Sequence, residues 1–384
     1  MKVVYFSSPY FADCDFPLVK EMQERGIDVR YYIHIPKGFK NGSILEFEES
    51  WNKWGIYKAS KMENMQDYKG CVDLDRLFFI SGYTLHFWDV TAWILWVYVM
   101  IHILCQRASV FHITWQLKRY ENFVLRIPFR GKKIMTVHDP LQHSGTKRYD
   151  YQEKLRRKCF QWADEFILLN KVQVDAFCAK YGISKDRVTF SHLGVYNSIL
   201  HFHVPESKIR RPYIMFFGQV NPNKGVEFLC QAMVKVHKKY PELTLLIAGK
   251  GNVYFDATPF TQLDYIIWEN RFIGIKELVS YVRGSLFAVC PYKDATQSGV
   301  VQTAFALGTP VIATDVGGLP AAVNDGVYGV IIPPCDDTAL ADSICELYAD
   351  QDKRKSMADN LRNKWMEEMS WEPIAADYLS VYRK

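Results

Sequence analysis

The stretch SGVVQTAFALGTPVIATDVGG, residues 298–318, decides the fold of this chain because it joins four features in one order. A polar turn leads into an apolar helix, Gly308 and Pro310 end that helix, the short apolar strand VIAT follows, and paired glycines come last. The first backbone N–H groups of a helix have no partner within the helix and attract anions. The stretch therefore predicts a helix start at Ser298 and Gly299 that binds a diphosphate, backed by a buried strand.

Strand-like and helix-like segments alternate on both sides of this stretch. KVVYFSS and KKIMTVHD in the first half, and PYIMFFG and LFAVCPY in the second, are apolar runs separated by amphipathic helical patterns. This alternation is typical of an α/β protein with parallel sheets covered on both faces. The pattern breaks at residues 196–211, a polar stretch that we take as a linker, and 384 residues suit two domains. We expect two doubly wound, Rossmann-like domains that face a central cleft, with ligands at the carboxyl ends of the strands.

Composition excludes several classes of protein. The net charge is only +5, with acids and bases mixed along the chain, so we expect no nucleic-acid partner. The nine cysteines are scattered without a CxxC pair or a Cys/His metal spacing, which favours reduced thiols and a cytoplasmic location. A hydrophobic fraction of 49% with 23% charged residues indicates a globular chain rather than a disordered one.

Residues 91–105, TAWILWVYVMIHILC, form a segment that is apolar on every side. The segment is shorter than the ~20 residues that cross a bilayer. Three interpretations are open: a buried core helix, which we favour, a helix lying against a membrane, and a helix that spans the membrane. Basic clusters at residues 130–133, 154–158 and 208–211 are either solvated surface or attract anionic lipid or phosphorylated ligands. We therefore keep peripheral contact with an anionic membrane as a hypothesis.

Two loops that follow predicted strands add to the candidate ligand site. In FFGQVNPNKGVEFL, Gly218 permits close approach of the backbone, and Lys224 lies just before a helix start, where a lysine can neutralise phosphate. The alternative is a plain β–α turn with a surface lysine. In LLIAGKG, Gly249 directly follows a strand, as glycines commonly do in α/β proteins, so this signal is weaker.

In the first half, TVHDPLQHSG places His138 directly after a predicted buried strand. Histidine is the usual acid, base or hydrogen-bonding group near neutral pH. A lone histidine is more often structural, but a position at the carboxyl end of a strand favours a functional role. His143 is a second candidate in the same loop.

The segments FFGQV, NKG, RFIGIKELVSYVRGSLFAVCPY, SGVVQTAFALGTPVIATDVGGLPAAV and SWEPIAADYLSVY together resemble the retaining GT-B glycosyltransferases of family 4, in a branch with a degenerate paired-glutamate motif. The similarity covers most of the chain and is strongest at residues 216–330. It implies an acceptor-binding Rossmann-like domain at residues 1–203 and a nucleotide-sugar-binding one at 204–365. It also implies that a C-terminal helix, residues 366–384, packs back on the first domain.

The resemblance further implies the reaction. A sugar would pass with retention from a nucleotide-diphosphate sugar to a hydroxyl of a glycan or lipid-linked acceptor, as in surface polysaccharide biosynthesis. No metal or other cofactor would be needed, because basic side chains and helix starts carry the charge of the diphosphate. The enzyme would be cytoplasmic, or peripheral on the cytoplasmic face of the membrane.

Carried over by position, Lys224 matches the lysine that binds the donor diphosphate, and His138 matches the histidine of the cleft. Gln219 stands where the family usually has arginine, which removes a charge and a bidentate donor. The two glutamates of the family fall on Ala295 and Thr303, neither of which is acidic. The glycine-rich loop usual after the first strand is replaced here by SSPYFADCDFPLV.

These departures leave alternatives open. Asp294 and Gln297 are candidates to replace the first glutamate, and the Thr303 hydroxyl is a candidate for the ribose. A catalytically inactive GT-B-fold binding or scaffold protein is one alternative function, and a sugar-nucleotide epimerase is another. The predicted catalytic residues are His138 and Lys224, and the predicted donor-binding residues are Gly218, Gln219, Lys224, Gly249, Pro291, Asp294, Gln297, Ser298, Gly299, Val300 and Thr303.

Overall fold

A computed structural model of the chain describes residues 1–82, 89–114, 117, 119–141, 149–295 and 298–384. The chain divides into two compact units, Met1–Gly194 with Ser370–Lys384, and Val195–Met369. Each unit has a parallel sheet with helices between its strands. The α/β class and the pair of Rossmann-like sheets predicted from the sequence are confirmed.

The sheet of the first unit has the strand order β10-β9-β8-β7-β1-β2-β6-β5, and each neighbouring pair is parallel except β5 with β6. A separate antiparallel hairpin consists of β3 and β4. The central strand β1 is buried on both faces, which is why its sequence is a continuous apolar run rather than an alternating one. The strands are β1 (Lys2–Ser7), β2 (Asp28–Ile35), β3 (Phe39–Gly42), β4 (Leu45–Trp51), β5 (Gly55–Lys58), β6 (Leu77–Ser81), β7 (Val110–Ile113), β8 (Lys132–Val137), β9 (Glu165–Leu168) and β10 (Val188–Phe190). The helices of this part of the chain are α1 (Ala12–Glu24), α2 (Val90–Cys105), α3 (Tyr149–Trp162) and α4 (Val174–Tyr181).

The sheet of the second unit has the order β13-β12-β11-β14-β15-β16, with every neighbouring pair parallel. Its strands are β11 (Tyr213–Phe217), β12 (Thr244–Ala248), β13 (Ile266–Glu269), β14 (Ala288–Cys290), β15 (Val311–Thr314) and β16 (Gly329–Ile332). Its helices are α5 (Val226–His237), α6 (Thr258–Thr261), α7 (Ile275–Gly284), α8 (Gly299–Ala306), α9 (Leu319–Val323), α10 (Asp337–Ala349), α11 (Gln351–Asn360) and α12 (Met366–Glu368). The chain builds this sheet outward from β11 in both directions, so the strand order reverses between β11 and β14.

The units divide at 194/195 and 369/370, whereas the sequence placed the boundaries at 203/204 and 365/366. The Val195 N–H donates to the Met369 carbonyl (3.0 Å), which joins the two ends of the second unit. The 3-10 helix Asn197–His201, inside the stretch that we took as a linker, packs against α8. This part of the stretch is therefore a packed element of the second unit rather than a linker.

The last helix, α13 (Trp371–Arg383), belongs to the first unit and packs against α1. Burial lowers the pKa of His112 on β7 to about 3, so its ring is neutral. The Tyr382 hydroxyl lies 2.6 Å from His112 Nδ1, and Thr136 Oγ1 on β8 lies 2.8 Å from Nε2 and donates to the Tyr378 hydroxyl (3.1 Å). Buried hydrogen bonds therefore fix the C-terminal helix on the sheet, and the predicted return of this helix to the first domain is confirmed.

Helix α2 covers the segment that the sequence marked as apolar on every side. It buries Ala92, Leu95, Trp96, Val99 and Ile103 in the core, while its opposite side is exposed. The favoured prediction of a buried core helix is therefore correct for one face only. No helix among the described residues combines the length and the hydropathy needed to cross a membrane.

We predict that Tyr382→Phe lowers the free energy of unfolding by about 1–3 kcal/mol, because it leaves buried His112 Nδ1 without its hydrogen-bond partner. Urea unfolding measures this change. The matched control is Tyr10→Phe, since Tyr10 is 54% exposed, and this control should change stability by less than about 0.5 kcal/mol. Equal effects of the two substitutions would contradict the assigned bond.

Candidate active site

The candidate site of the second unit lies at the carboxyl ends of β11 and β14, where the strand order reverses. This is the position at which doubly wound sheets bind ligands, because the loops after the two strands leave a crevice between them. The loop after β11 contains Gly218 and Gln219 and leads through the 3-10 turn Pro222–Lys224 into α5. The loop after β14 leads to Ser298 and α8.

The two loops touch through their backbones at Gly225. This residue has φ +63°, and a Cβ placed on it would lie 1.9 Å from the Pro291 carbonyl oxygen. Next to this contact, the Lys293 N–H donates to the Asn223 carbonyl (2.8 Å). Only glycine fits this position, which fixes the turn that carries Lys224 against the loop after β14.

Gly249 produces a second close approach on the other side of β11. Its φ is +154°, and a Cβ there would lie 1.9 Å from the Gly218 carbonyl oxygen. The Gly218 N–H donates to the Ala248 carbonyl (3.1 Å), so the strand pairing continues into the loop. Gly225 and Gly249 therefore each allow the loops that follow adjacent strands to touch through their backbones.

Lys224 is the central cation of this site. Its Nζ lies 3.6 Å from the centre of the Tyr292 ring, and burial lowers the pKa of its amine below the ordinary value. Among the described residues, no carboxylate lies within ion-pair distance of Lys224. A partly buried amine on an aromatic face keeps its N–H donors available for an anionic ligand.

Tyr292 links Lys224 to the start of α8, and sequence reasoning missed it. The residue is fully buried, its hydroxyl lies 3.3 Å from Ser298 Oγ, and its carbonyl accepts a hydrogen bond from Thr314 Oγ1 (2.6 Å). Ser298 Oγ in turn accepts from the Val301 N–H (3.3 Å) and caps α8. The cation and the helix start predicted from the sequence are thus joined through one aromatic side chain.

The start of α5 differs from the start of α8. The Tyr254 hydroxyl accepts from the Val226 N–H (3.0 Å) and donates to the Glu227 carboxylate, which also pairs with Lys293 Nζ (2.5 Å). A carboxylate therefore occupies the first turn of α5, whereas the first turn of α8 contains no acidic residue. The helix dipole of α8 is free to favour an anion, and the start of α5 is already satisfied.

The other predicted donor residues are distributed around this centre. Gly299 and Val300 form the first turn of α8, and Thr303 lies half-buried one turn further along. Gln219 and Asp294 are exposed, while Pro291 and Ala295 are buried, the latter at the position to which the sequence resemblance assigns the first glutamate. Gln297 lies outside the described residues, as does His143 of the first unit.

His138 follows β8 in the first unit, as predicted. Its ring stacks on Phe11 with 4.3 Å between centroids, and Phe11 belongs to the segment that replaces the glycine-rich loop. Burial lowers the pKa of His138 to about 4, so the ring is neutral at pH 7. Among the described residues, the buried Nε2 atom has no hydrogen-bond partner. His138 is therefore suited to a hydrogen bond with a ligand hydroxyl rather than to charge stabilisation.

Arg156 on α3 supports the turn after His138 and was also missed from the sequence. It is 7% exposed, and its Nη2 donates to the carbonyls of Asp139 (2.5 Å) and Pro140 (2.7 Å). A cavity of about 100 Å³ beside this turn is lined by residues that include Phe11, Thr114, His138 and Arg156. The sequence marked residues 154–158 only as a basic cluster, which gave no sign that one member is buried.

The class of protein follows from the fold and from the second unit. A cation and an acid-free helix start at the switch point of a doubly wound sheet are features that suit a phosphate-bearing ligand. Residues 211–350 match the sequence model of the family Glycosyl transferases group 1. This range contains Gly218, Lys224, Tyr292 and Ser298, and the match confirms the predicted resemblance for this part of the chain.

Relatives of the chain include two bacterial enzymes. It is 27% identical over 247 residues to D-inositol 3-phosphate glycosyltransferase of Paenarthrobacter aurescens, covering 61% of this chain and 60% of that protein. It is 26% identical over 283 residues to alpha-maltose-1-phosphate synthase of Mycolicibacterium smegmatis, covering 65% and 72%. The match therefore spans about 60% of the length of the first of these relatives.

Solved structures show the same architecture over the whole chain. Sucrose-phosphate synthase from Thermosynechococcus elongatus has a TM-score of 0.69 at 17% identity, covering 100% of this chain and 98% of that one. HepE from Anabaena in complex with UDP has a TM-score of 0.66 at 14% identity and covers 100% of both chains. These likenesses confirm the GT-B fold.

We predict that Gly225→Ala destabilises the protein far more than Gly326→Ala. Both glycines have positive φ, but a Cβ at Gly326 meets nothing within 4 Å, whereas one at Gly225 collides with the Pro291 carbonyl. Gly326→Ala should cost about 1–2 kcal/mol of backbone strain, and Gly225→Ala more than about 3 kcal/mol. Denaturant unfolding measures both, and equal costs would contradict the contact between the two loops.

Proposed function

We propose that this protein is a glycosyltransferase of family 4 that moves a sugar from a nucleotide-diphosphate sugar to an acceptor hydroxyl with retention. The arrangement of Lys224, Tyr292 and Ser298 carries this proposal. It presents a cation that has no carboxylate partner among the described residues and an acid-free helix start at one sheet edge, within the range matched by group 1 glycosyl transferases. The family match and the relatives support the transferase class.

The proposed chemistry depends on stabilising the leaving diphosphate. The bond between the anomeric carbon and the diphosphate oxygen breaks, the acceptor oxygen bonds to the same face of the sugar, and its proton passes to the leaving phosphate. Lys224 and the amides of Ser298, Gly299 and Val300 would stabilise the negative charge that develops on the diphosphate. Because a side-chain cation and a helix start carry this charge, we expect the reaction to need no metal.

The acceptor is assigned to the first unit. His138 is neutral, and its buried Nε2 has no hydrogen-bond partner in the described part of the chain, which suits a hydrogen bond to a sugar hydroxyl. We propose a glycan or lipid-linked acceptor, in the biosynthesis of a surface polysaccharide, and a location in the cytoplasm or on the cytoplasmic face of a membrane. The exposed apolar side of α2 supports the lipid-linked form.

A catalytically inactive binding protein is the second candidate, and specific residues favour it. The exposed Gln219 adds no charge where the family has arginine, and Ala295 and Thr303 replace both glutamates. Lys293, a second cation near the site, is paired with Glu227. Fewer polar groups therefore meet the donor than in typical members of the family.

We predict that a UDP-, GDP- or ADP-sugar raises the thermal midpoint of the wild type, because a ligand that binds only the folded state stabilises it, and that a CMP-sugar, which has a single phosphate, does not. UDP-glucose is tested first, since HepE from Anabaena was solved with it. Lys224→Ala should weaken the affinity for the nucleotide sugar roughly 10- to 150-fold, because it removes a hydrogen bond to a charged group. The exposed Lys355 provides the matched control, and Lys355→Ala should bind like the wild type.

Two further results decide between the candidates. Transfer to an acceptor, with the anomeric configuration of the donor kept in the product and activity unchanged in EDTA, would support the retaining, metal-independent enzyme. Stabilisation by a nucleotide sugar without transfer or hydrolysis would favour the inactive binding protein. Equal binding by the wild type and Lys224→Ala would contradict the proposed donor site.

A further inference from the structure

Helix α2 exposes an apolar stripe along its whole length. The exposed positions follow the spacing of one helix face, and Val90, Ile94, Val97 and Ile101 are each at least 50% exposed. The side chains that form this stripe are Val90, Trp93, Ile94, Val97, Tyr98, Ile101 and Leu104.

This stripe is unusual for a helix at a protein surface. A surface helix normally buries its apolar side and presents charged residues to water. Residues 90–105 contain no Lys, Arg, Asp or Glu at all, so the outward face is as apolar as the buried one. A contiguous apolar patch of this kind marks a surface that a partner covers.

The composition of the stripe matches a lipid interface. Trp93 and Tyr98 are amphipathic aromatic residues, which concentrate at the boundary between lipid headgroups and acyl chains. A helix too short to span a bilayer binds by lying in the plane of that boundary, with its apolar face toward the acyl chains. Helix α2 has this length and this face.

Cations flank the stripe. Trp93 packs edge-on against Phe123 (4.6 Å between centroids), and the Arg126 guanidinium lies 5.4 Å from the Phe123 ring. Arg107 follows the end of α2, and both arginines are exposed without an ion pair among the described residues. Residues 107–133 contain seven Lys or Arg and a single acid, Glu121, which lies 2.5 Å from His34 Nδ1.

We propose that α2 docks this protein on the surface of an anionic lipid bilayer, with the stripe in the acyl boundary and Arg107 and Arg126 at the headgroups. Docking on a membrane would bring the site close to the lipid-linked acceptor of the proposed function, and the biological role of docking rests on that function. Charge complementarity favours lipid over a second copy of the chain, because a two-fold contact would bring the same cations to both sides of the interface. Vesicle binding needs neither donor nor acceptor, so it can be measured independently of sugar transfer.

The test is co-sedimentation of the full chain with vesicles of phosphatidylcholine, with and without phosphatidylglycerol. We expect binding to the anionic vesicles, weakened by salt, and a loss of about tenfold or more for Val97→Glu. The matched control is Val172→Glu, since Val172 is an apolar residue of the same unit that is 91% exposed but lies outside the stripe. Arg126→Gln should weaken binding to anionic vesicles roughly fivefold.

Thermal midpoints of the variants are measured first, and Ile94→Gln replaces Val97→Glu if the latter does not fold. Absence of binding by the wild type, or equal binding by the stripe variant and the Val172→Glu control, would overturn the proposal. A wild-type dimer that Val97→Glu converts to a monomer would also overturn it, because a second copy would then cover the stripe. Vesicle binding without sugar transfer would contradict only the proposed function.

Discussion

The contact between the Gly225 backbone and the Pro291 carbonyl is the constraint on which the candidate donor site depends. It brings together two loops that leave neighbouring strands of the second sheet at the point where the strand order reverses. Because the turn is fixed, Lys224 lies over the Tyr292 ring, and the Tyr292 hydroxyl in turn meets the cap of α8. A side chain at Gly225 would separate the loops and disconnect the cation from the helix start.

The positive charge of Lys224 is not balanced by a carboxylate among the described residues, which suits an anionic ligand. Placing an amine partly out of water costs free energy, and Lys224 recovers part of that cost from the face of an aromatic ring rather than from a carboxylate. The nearby pair of Lys293 and Glu227 shows the opposite arrangement, in which both charges are already satisfied. A diphosphate would therefore gain more from Lys224 than from Lys293.

Local sequence signals predicted most of the fold and where in that fold the main candidate residues lie. Glycines and prolines at the ends of strands and helices indicated where the loops are. From these loops we expected Ser298, Lys224 and His138 beyond the carboxyl ends of strands, and they lie there. Signals that depend on distant contacts were missed: Tyr292 resembles an ordinary core aromatic, and the pairing of Lys293 with Glu227 joins two separate loops. The exposed side of α2 could not be identified either, because a segment that is apolar all round carries no periodicity to show which face meets water.

The C-terminal helix has a consequence for how the protein is made. Domains usually fold in order during synthesis, the N-terminal one first, at about 5–20 residues per second. Here the sheet partners of Tyr378 and Tyr382 are translated before the second unit, and α13 follows that unit, roughly 10 to 50 seconds after those partners. During that interval the nascent first unit carries an uncovered sheet face on which His112 Nδ1 lacks its partner Tyr382, although Nε2 keeps its bond with Thr136. Loss of α13 would therefore damage the first unit, with which this helix packs, rather than the second unit, which directly precedes it in the sequence.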